Sequence, residues 1–506
     1  MKTIPIFNLK SDQVVSVAKN YEKVSLNKNS IARILDAYNF VNRLKELQQP
    51  VYGVNTGFGA LAGVILDKKN LTRLQENLIY SHAVGSGPIL EKEIIRAAMF
   101  LRANMLSKAH SGVRPLLINT FITMLNKDIV PIVPETGSVG ASGDLSPLAF
   151  IARTLLGYGE VFYQGKIIDA RTAFKKANIK QIKFEPKEGL SLINGTEMMG
   201  ANGALIVDQA EYLANIADVG AAMSMVALQG KTGPFDLRIM DLKPHPGQKL
   251  VARNLAKLLA GYRTTGKKVQ DAYSLRCIPQ VAGAVREGIN FAKKIIETEI
   301  NSVSDNPIIV DNPKSKLKYD IVSGGNFHGQ AISLAFDTLG ISLVTMATIS
   351  ERRTFRLLDD KLSGLSPFLV NNPGVNSGLM MLQVLASALI AENRVLANSA
   401  SIQSVPTSAS QEDFVSMGMT AANKTRRILD NTLTIIAIEL ICSRQAIELA
   451  KYEVPKGFKT FYNNVAHTVP YITDDRLFQN DIINTKNLLD DNKFRSLVGK
   501  YFVTTK

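Results

Sequence analysis

Helix-breaking residues are sparse between about Gly329 and Leu449, although glycines and prolines interrupt the first 330 residues at irregular intervals. In Gln330 to Arg352 the apolar residues recur mostly every three to four positions, which is the period of a buried helix face. Similar patterns occupy Leu379 to Leu396 and Met419 to Ile447. Helices of this length predict a mainly α-helical fold with an elongated central bundle.

The remainder of the chain contains few strand-like segments, and the best hairpin candidate is Glu160 to Ile168. We expect three consecutive parts. A smaller, mixed but mostly helical N-terminal region over residues 1–200 carries the active-site loops, the long-helix bundle covers residues 201–450, and a basic helical tail covers residues 451–506.

The composition predicts a globular protein, since 46% of the 506 residues are hydrophobic and 20% are charged. Lys and Arg number 59 against 44 Asp and Glu, so a nucleic-acid partner has to be considered. The lysines are scattered, however, with no run of five or more and no zinc-finger, RNP or basic heptad pattern. We therefore expect no nucleic-acid partner, and we interpret the net charge of +15 as solvated surface or as a mild field that attracts anionic amino-acid substrates.

The sequence also predicts a cytoplasmic protein with no membrane span. Apolar runs such as Val219 to Leu228 fall short of the roughly 18 residues that a membrane-spanning helix needs, and proline and polar residues interrupt the start too early for a secretory signal. The two cysteines, Cys277 and Cys442, agree with a reducing compartment. The sequence has no H-E-x-x-H or comparable ligand array, so we expect no catalytic metal.

The tripeptide Ala141-Ser142-Gly143 lies in a glycine-rich segment and can undergo chemistry of its own. If the backbone bends tightly, the amide nitrogen of Gly143 can attack the carbonyl carbon of Ala141, and the loss of two waters then leaves a methylidene-imidazolone ring. No standard side chain is an electrophile, so this ring would activate an amine substrate with no external cofactor. For the tripeptide alone, an ordinary glycine-rich turn before a helix is the alternative.

The flanking residues favour a sharp turn followed by a helix. Gly137, Gly140 and Gly143 have no Cβ atoms that would block a close backbone approach. Ser146 and Pro147 predict an N-cap and the first helical position. The positive end of the helix dipole would then lie beside the ring and favour electron flow into it.

Four other segments place polar side chains in loops or at helix ends. Tyr52 can act as a general base if nearby positive charge lowers its pKa, although a tyrosine in a turn is also a common structural plug. His82 ends a predicted helix, where histidine is also a common cap, and Asn194 stands at an Asn-Gly turn. Tyr273 and Arg276 share a face of a predicted helix, either to capture a carboxylate or as a simple amphipathic helix end.

Two further clusters follow downstream. Phe327 and His328 could present an aromatic wall and an imidazole in a glycine-rich loop. Glu412 and Asp413 form a pair of carboxylates before a long predicted helix, where they could also merely favour the helix N-terminus.

Taken in this order, the segments resemble the aromatic amino acid ammonia-lyases that carry a self-made methylidene-imidazolone. The similarity extends from about residue 50 to about residue 450 and is strongest to the members that act on histidine. It implies a mainly α-helical fold, a homotetramer whose active sites combine loops from different subunits, and no external cofactor. It also implies release of ammonia from L-histidine to give trans-urocanate, the first step of histidine breakdown.

The resemblance further implies roles for individual residues. The prosthetic group forms from Ala141, Ser142 and Gly143, with Asn194 and Tyr273 beside it. The electrophile joins either the amine or the aromatic ring of the substrate, and both mechanisms stay open. The residues implied to handle the substrate are Tyr52 as the base for the β-proton, Arg276 as the carboxylate ligand, Phe327 and nearby Gln270 in the pocket, and His82 and Glu412 at the imidazole ring.

The substrate is implied by two short motifs. Ser81-His82 and Gln411-Glu412-Asp413 look like the histidine enzymes, since the phenylalanine and tyrosine enzymes generally have Asn-Gln-Asp at the second place, and a carboxylate suits an imidazole N–H. The chain departs from the histidine enzymes at Phe414, where histidine is common, and at Thr196-Glu197, where glutamine usually follows the threonine. A tyrosine or phenylalanine ammonia-lyase, or an aminomutase on the same scaffold, is the alternative.

Replacing Ser142 by alanine removes the hydroxyl that has to leave, so the variant cannot complete the ring. We expect the intact mass of the wild-type chain to fall short of the sequence mass by two water molecules, and Ser142→Ala to lose both this deficit and lyase activity. Mass spectrometry of the purified proteins measures the deficit. An unmodified wild-type mass together with salt-sensitive DNA binding would instead favour a non-catalytic helical protein.

Overall fold

The computed structural model describes residues 3–6, 8–44, 50–57, 63, 70–266 and 268–502. The chain forms two compact units, and each unit is assembled from three separate ranges. The first unit comprises Met1–Asp208, Ala292–Asp337 and Ser399–Asn423, and the second comprises Gln209–Phe291, Thr338–Asn398 and Lys424–Lys506. The division into residues 1–200, 201–450 and 451–506 stays a prediction.

Long helices dominate the described residues, which confirms the mainly α-helical fold. The four longest are Glu197–Ala227, Ile278–Glu299, Gln330–Leu358 and Gly418–Leu449. The three apolar patterns in the sequence are confirmed as helices, because the second pattern forms Met380–Leu396 and the other two lie within the last two long helices.

Shorter helices connect the long ones. The other α-helices are Ser11–Lys19, Ile31–Leu44, Leu71–His82, Lys92–Ser107, Pro115–Asn126, Leu145–Arg153, Ala170–Ala177, Glu188–Ile193, Leu237–Leu242, Pro246–Leu258, Tyr273–Arg276, Asp360–Ser363, Lys459–Thr468, Phe478–Asp490 and Asn492–Tyr501. Single 3₁₀ turns occupy Lys28–Ser30, Thr154–Leu156, Gly233–Phe235, Pro367–Leu369 and Ser408–Ser410.

The strands that the structure describes are short and form small sheets in the first unit. Thr3–Pro5 pairs in parallel with Lys23–Ser25, and the antiparallel sheets are Ser86–Ile89 with Pro134–Thr136, Val130–Pro131 with Glu160–Tyr163 and Lys166–Asp169, and Ile308–Asp311 with Tyr319–Val322. The predicted hairpin is confirmed, since Phe162 lies opposite Ile167. The sheet of Ser86–Ile89 positions the site, because it holds the chain after His82 beside the segment that leads into the tripeptide.

A buried carboxylate joins three of the long helices within the second unit. Glu439 accepts hydrogen bonds from the hydroxyls of Ser224 at 2.7 Å and Ser350 at 2.6 Å. It also receives a bidentate contact from Arg353, with Nε at 2.5 Å and Nη2 at 2.9 Å. All four side chains are buried, and breaking such a pair on one side leaves an uncompensated charge in the core. The network therefore fixes the register of the three helices.

Among the described helices, Gln330–Leu358 is long and apolar enough to cross a bilayer by length and composition. Its most apolar window is 56% buried inside the protein, and the core helices of globular proteins have the same character. The expected absence of a membrane span therefore stays a prediction.

Candidate active site

A cavity of about 510 Å³ in the first unit lies over the Ala141-Ser142-Gly143 tripeptide. It is lined by the tripeptide, by His82 and Glu412, and by residues of the flanking segments 84–86, 136–139 and 145–146. The structure therefore brings together five of the predicted site residues, namely His82, the three residues of the tripeptide and Glu412.

The tripeptide is held in a backbone shape that suits glycine. Gly140 and Gly143 have φ angles of +68° and +73°, in the left-handed region that other residues rarely adopt. A Cβ atom on Gly143 would overlap the carbonyl oxygen of Gly195, and one on Gly140 would overlap the hydroxyl of Ser416. The predicted tight turn and close backbone approach are confirmed at these two glycines.

Asp144, which directly follows the tripeptide, holds it in place through three hydrogen bonds. Its amide donates to the carbonyl of Gly195 at 2.7 Å, and its carboxylate accepts from the amide of Met199 at 2.9 Å and from the hydroxyl of Ser138 at 3.2 Å. Burial raises the pKa of the Asp144 carboxyl to about 7, against these stabilising hydrogen bonds. The loop is thus tied to the start of the long helix Glu197–Ala227.

The helix after the tripeptide begins earlier than the sequence predicts. It runs from Leu145 to Arg153 with Asp144 at the N-cap position, so the assignment of Ser146 as the cap is wrong. Ser146 instead donates to the carbonyl of Val84, outside the helix. The predicted placement of a helix N-terminus directly after the loop is confirmed, and its partial positive charge lies next to Gly143 in the chain.

Glu412 lies against the central residue of the tripeptide. The Ser142 hydroxyl donates to Glu412 Oε1 at 2.9 Å, and the Thr407 hydroxyl donates to Glu412 Oε2 at 2.7 Å. The backbones of Thr407 and Glu412 also pair, with Thr407 N donating to Glu412 O at 2.9 Å. Thr407, in the same loop as Glu412, therefore holds the carboxylate in the position from which it contacts Ser142.

His82 occupies the C-terminal end of Leu71–His82 and faces the same cavity. Its Nδ1–H donates to the carbonyl of Leu78 at 2.8 Å, which leaves Nε2 as the acceptor of the neutral ring. Burial lowers the pKa of His82 below its usual range, although the charge of Glu412 acts in the opposite direction. The site therefore combines a neutral imidazole with a carboxylate.

Asn194 lies buried behind the tripeptide. It follows the short helix Glu188–Ile193, and its Nδ2 donates to the carbonyl of Asn306 at 3.0 Å. The backbone carbonyl of Asn194 accepts from Arg102 Nη1 at 3.1 Å. Arg102 Nη2 forms an ion pair of 2.5 Å with Glu197. These buried contacts fix Asn194 and Gly195, on which the loop rests.

Two other predicted residues lie in the first unit but do not line this cavity in the part of the chain that the structure describes. Tyr52 is half-buried in a turn, and Phe327 is half-buried in the loop before Gln330–Leu358. The unexpected Phe414 stacks on His328, with ring centroids 6.0 Å apart, and its carbonyl accepts from His328 Nε2 at 3.1 Å. This contact attaches the segment that carries Glu412 to the loop that carries Phe327.

The remaining predicted residues lie in the second unit. Gln270 and Arg276 line a cavity of about 440 Å³ together with Asp271 and Cys277. Tyr273 and Arg276 begin and end a one-turn helix, and the Arg276 guanidinium lies 4.7 Å from the centre of the Tyr273 ring. The prediction that these two side chains share a face is confirmed.

Sequence reasoning missed three residues that support the site. Asp144 directly follows the tripeptide, and its position before a helix was a usable signal for an N-cap. Arg102 directly follows the apolar run Ala97–Leu101, a pattern typical of a buried ion pair. Thr407 carries no such signal, since its role depends on the turn that returns it to Glu412.

Comparisons with known proteins agree with this geometry. The chain matches the family model described as aromatic amino acid lyase over residues 9–467. It is 45% identical over 499 residues to a histidine ammonia-lyase of Stigmatella aurantiaca, a match that covers 97% of this chain and 96% of the relative.

Solved structures are similar over the whole chain. A histidine ammonia-lyase from Trypanosoma cruzi is 36% identical with a TM-score of 0.91, covering 99% of this chain and 96% of the other. A tyrosine aminomutase from Streptomyces globisporus is 33% identical with a TM-score of 0.92, covering 100% of both chains. Backbone similarity thus extends equally to lyases and aminomutases.

Alanine at Gly143 should be far more damaging than alanine at Gly165, which has a matching φ of +75° but open space around its Cβ position. Gly165→Ala should lower the free energy of unfolding by about 1–2 kcal/mol, the usual cost of the left-handed conformation. Gly143→Ala adds the overlap with Gly195 and should lower the stability further and prevent the two-water mass loss. Urea denaturation midpoints and intact masses measure both effects; equal midpoints would contradict the close approach.

Proposed function

This chain belongs to the aromatic amino acid lyase family and is a carbon–nitrogen lyase, and we propose that it releases ammonia from L-histidine to give trans-urocanate. The observation that carries the proposal is the convergence of His82 and Glu412 on one cavity with Ser142. The 45% identity to a histidine ammonia-lyase supports the same substrate.

The prosthetic group that we propose is a methylidene-imidazolone formed from Ala141, Ser142 and Gly143, with no external cofactor. The loop fits this group, because Gly143 has the left-handed φ and the close backbone approach that a tight turn needs. Ala141 and Gly143 are buried while Ser142 reaches the cavity, so the reactive edge would face the substrate. When present, the group supplies an electrophile that no standard side chain offers.

His82 and Glu412 are proposed to recognise the substrate ring. The Glu412 carboxylate accepts an N–H of the imidazole, and the neutral His82 accepts through Nε2, since its Nδ1–H donates to Leu78. A lowered His82 pKa keeps this residue uncharged to a lower pH than an exposed histidine, so it adds no repulsion to a protonated substrate ring. Phenylalanine has no N–H to satisfy Glu412, which disfavours it.

The remaining roles follow the family resemblance and are proposals for this chain. Tyr52 removes the β-proton, and Arg276 binds the α-carboxylate with its guanidinium fork. Asn194 and Tyr273 lie beside the prosthetic group. Phe327 and Gln270 do not border the cavity over the tripeptide within one chain, and the proposal is that they line the substrate pocket in the assembled tetramer.

A homotetramer with shared active sites is proposed from the resemblance and supported by an exposed apolar seam. On Met380–Leu396 five exposed apolar side chains alternate at spacings of three and four, the repeat of a coiled-coil seam. Such a continuous apolar stripe favours a partner surface. The seam consists of Met381, Val384, Ala388, Ala391 and Val395.

We also propose a cytoplasmic location, with no nucleic-acid or membrane partner. Both cysteines carry free thiols, Cys442 in the core and Cys277 half-buried, as expected in a reducing compartment. A small amino acid and copies of the same chain are then the partners.

A charge placed in the seam should separate the subunits. Val384→Glu puts a carboxylate in the middle of the apolar stripe, where burial without a partner is costly, so we expect a smaller oligomer and loss of activity. Light scattering after size-exclusion chromatography measures the assembly. Val375→Glu is the matched control, because Val375 is 87% exposed in a loop, and this variant should remain a tetramer. A tetrameric Val384→Glu protein would refute the role of the seam.

The substrate is tested by incubating the enzyme separately with L-histidine, L-tyrosine and L-phenylalanine. We expect the ultraviolet absorbance of urocanate to rise and that of coumarate and cinnamate to stay flat. Accumulation of coumarate without urocanate would assign a tyrosine lyase instead. Formation of a β-amino acid, detected by chromatography, would assign an aminomutase.

A further inference from the structure

Glu412 contacts Ser142 in the unprocessed chain, although the proposed function uses it only to bind substrate. We propose that Glu412 first serves as a positioning residue for the chain's own maturation, by holding the Ser142 hydroxyl in the orientation from which it is lost. The inference rests on the proposed prosthetic group and adds an earlier role for a substrate-binding side chain.

Each carboxylate oxygen of Glu412 has one hydroxyl donor, and the donor to Oε2 comes from the same loop as Glu412. Glu412 Oε2 is bound by the Thr407 hydroxyl at 2.7 Å, and the two backbones form hydrogen bonds in both directions at 2.9 and 3.3 Å. Oε1 is then the oxygen that accepts from Ser142 at 2.9 Å. Because Thr407 fixes the carboxylate, the carboxylate can fix the serine.

Ser142 is the least buried member of its tripeptide. Ala141 and Gly143 are buried, whereas the Ser142 side chain is half-buried and borders the cavity. A serine hydroxyl without a partner samples three staggered positions about the Cα–Cβ bond. A hydrogen bond to a charged acceptor is strong enough to select one of them, and the selected position points the leaving oxygen toward Glu412.

The step itself is the elimination of water from Ser142. The Cα–H and Cβ–Oγ bonds break, and the electron pair of the Cα–H bond becomes the new Cα=Cβ bond. The oxygen leaves with the Cβ–Oγ pair and, with the released proton, forms water. Glu412 is unchanged, since it orients the Cβ–Oγ bond relative to the breaking Cα–H bond.

Loss of the serine oxygen also changes Glu412. Oε1 loses the donor that occupied it, whereas Oε2 keeps Thr407. A carboxylate oxygen, already oriented toward the cavity, becomes available to the imidazole N–H of the substrate. Maturation therefore creates the electrophile and frees the recognition group in the same step.

The test follows intact mass against time after cell-free synthesis of four chains: wild type, Glu412→Gln, Glu412→Ala and Asp413→Ala. Glutamine keeps an uncharged oxygen that can accept from Ser142, so its second water, the one from Ser142, should be lost faster than in Glu412→Ala. Alanine removes the acceptor, so the productive one of three staggered positions is no longer selected and the second loss should slow by about threefold or more. A species lacking one water should accumulate only in Glu412→Ala.

Asp413→Ala is the matched control, because Asp413 is the exposed neighbouring carboxylate, and it should follow the wild type. Circular dichroism establishes that each variant is folded. The inference is overturned if folded Glu412→Ala loses both waters at the wild-type rate, or if folded Glu412→Gln is as slow as Glu412→Ala. The proposed function fails separately, if the wild-type chain never loses two waters or yields no urocanate.

Discussion

The site depends on the close approach between Gly143 and Gly195. A Cβ atom on Gly143 would overlap the Gly195 carbonyl, so no side chain fits there, and the amide of Asp144 donates to the same carbonyl at 2.7 Å. Arg102 holds the other side of this junction through the carbonyl of Asn194. The reactive tripeptide is therefore held in place by buried, charged residues.

The loop has a buried part, which hydrogen bonds hold in place at Asp144, and a reactive part at Ser142, which borders the cavity. Asp144 lies wholly inside, and its raised pKa reflects the cost of burying a carboxyl that is satisfied by hydrogen bonds and not by a direct ion pair. Ser142 lies at the cavity surface beside His82 and Glu412. Preorganisation of this kind places chemistry where the backbone cannot relax away from it.

Periodicity was sufficient to predict Gln330–Leu358, Met380–Leu396 and Gly418–Leu449, because a buried helix face repeats its apolar residues along the sequence itself. It did not predict the long helices Glu197–Ala227 and Ile278–Glu299. The ends of helices were less predictable: Ser146 and Pro147 carry strong N-terminal preferences, yet the helix begins at Leu145 because tertiary hydrogen bonds hold Asp144. The site residues could be identified only as an ordered set that resembles a family. Thr407 escaped, since its role depends on a turn that brings its hydroxyl to Glu412, and no local pattern records that turn.

The buried carboxylate of Glu439 has a consequence for how this sequence can change over evolutionary time. The helix Glu197–Ala227 contributes Ser224, and the helix Gln330–Leu358 contributes Ser350 and Arg353, to one side chain on a third helix. The core of the second unit therefore tolerates exchanges of apolar residues more readily than any insertion or deletion within these helices. Adding one residue to a helix would rotate the donors beyond that point by about 100°, away from Glu439. Length variation among descendants of this chain should therefore collect in the loops, while the three helices keep their lengths and Ser350 and Arg353 keep their spacing within one helix.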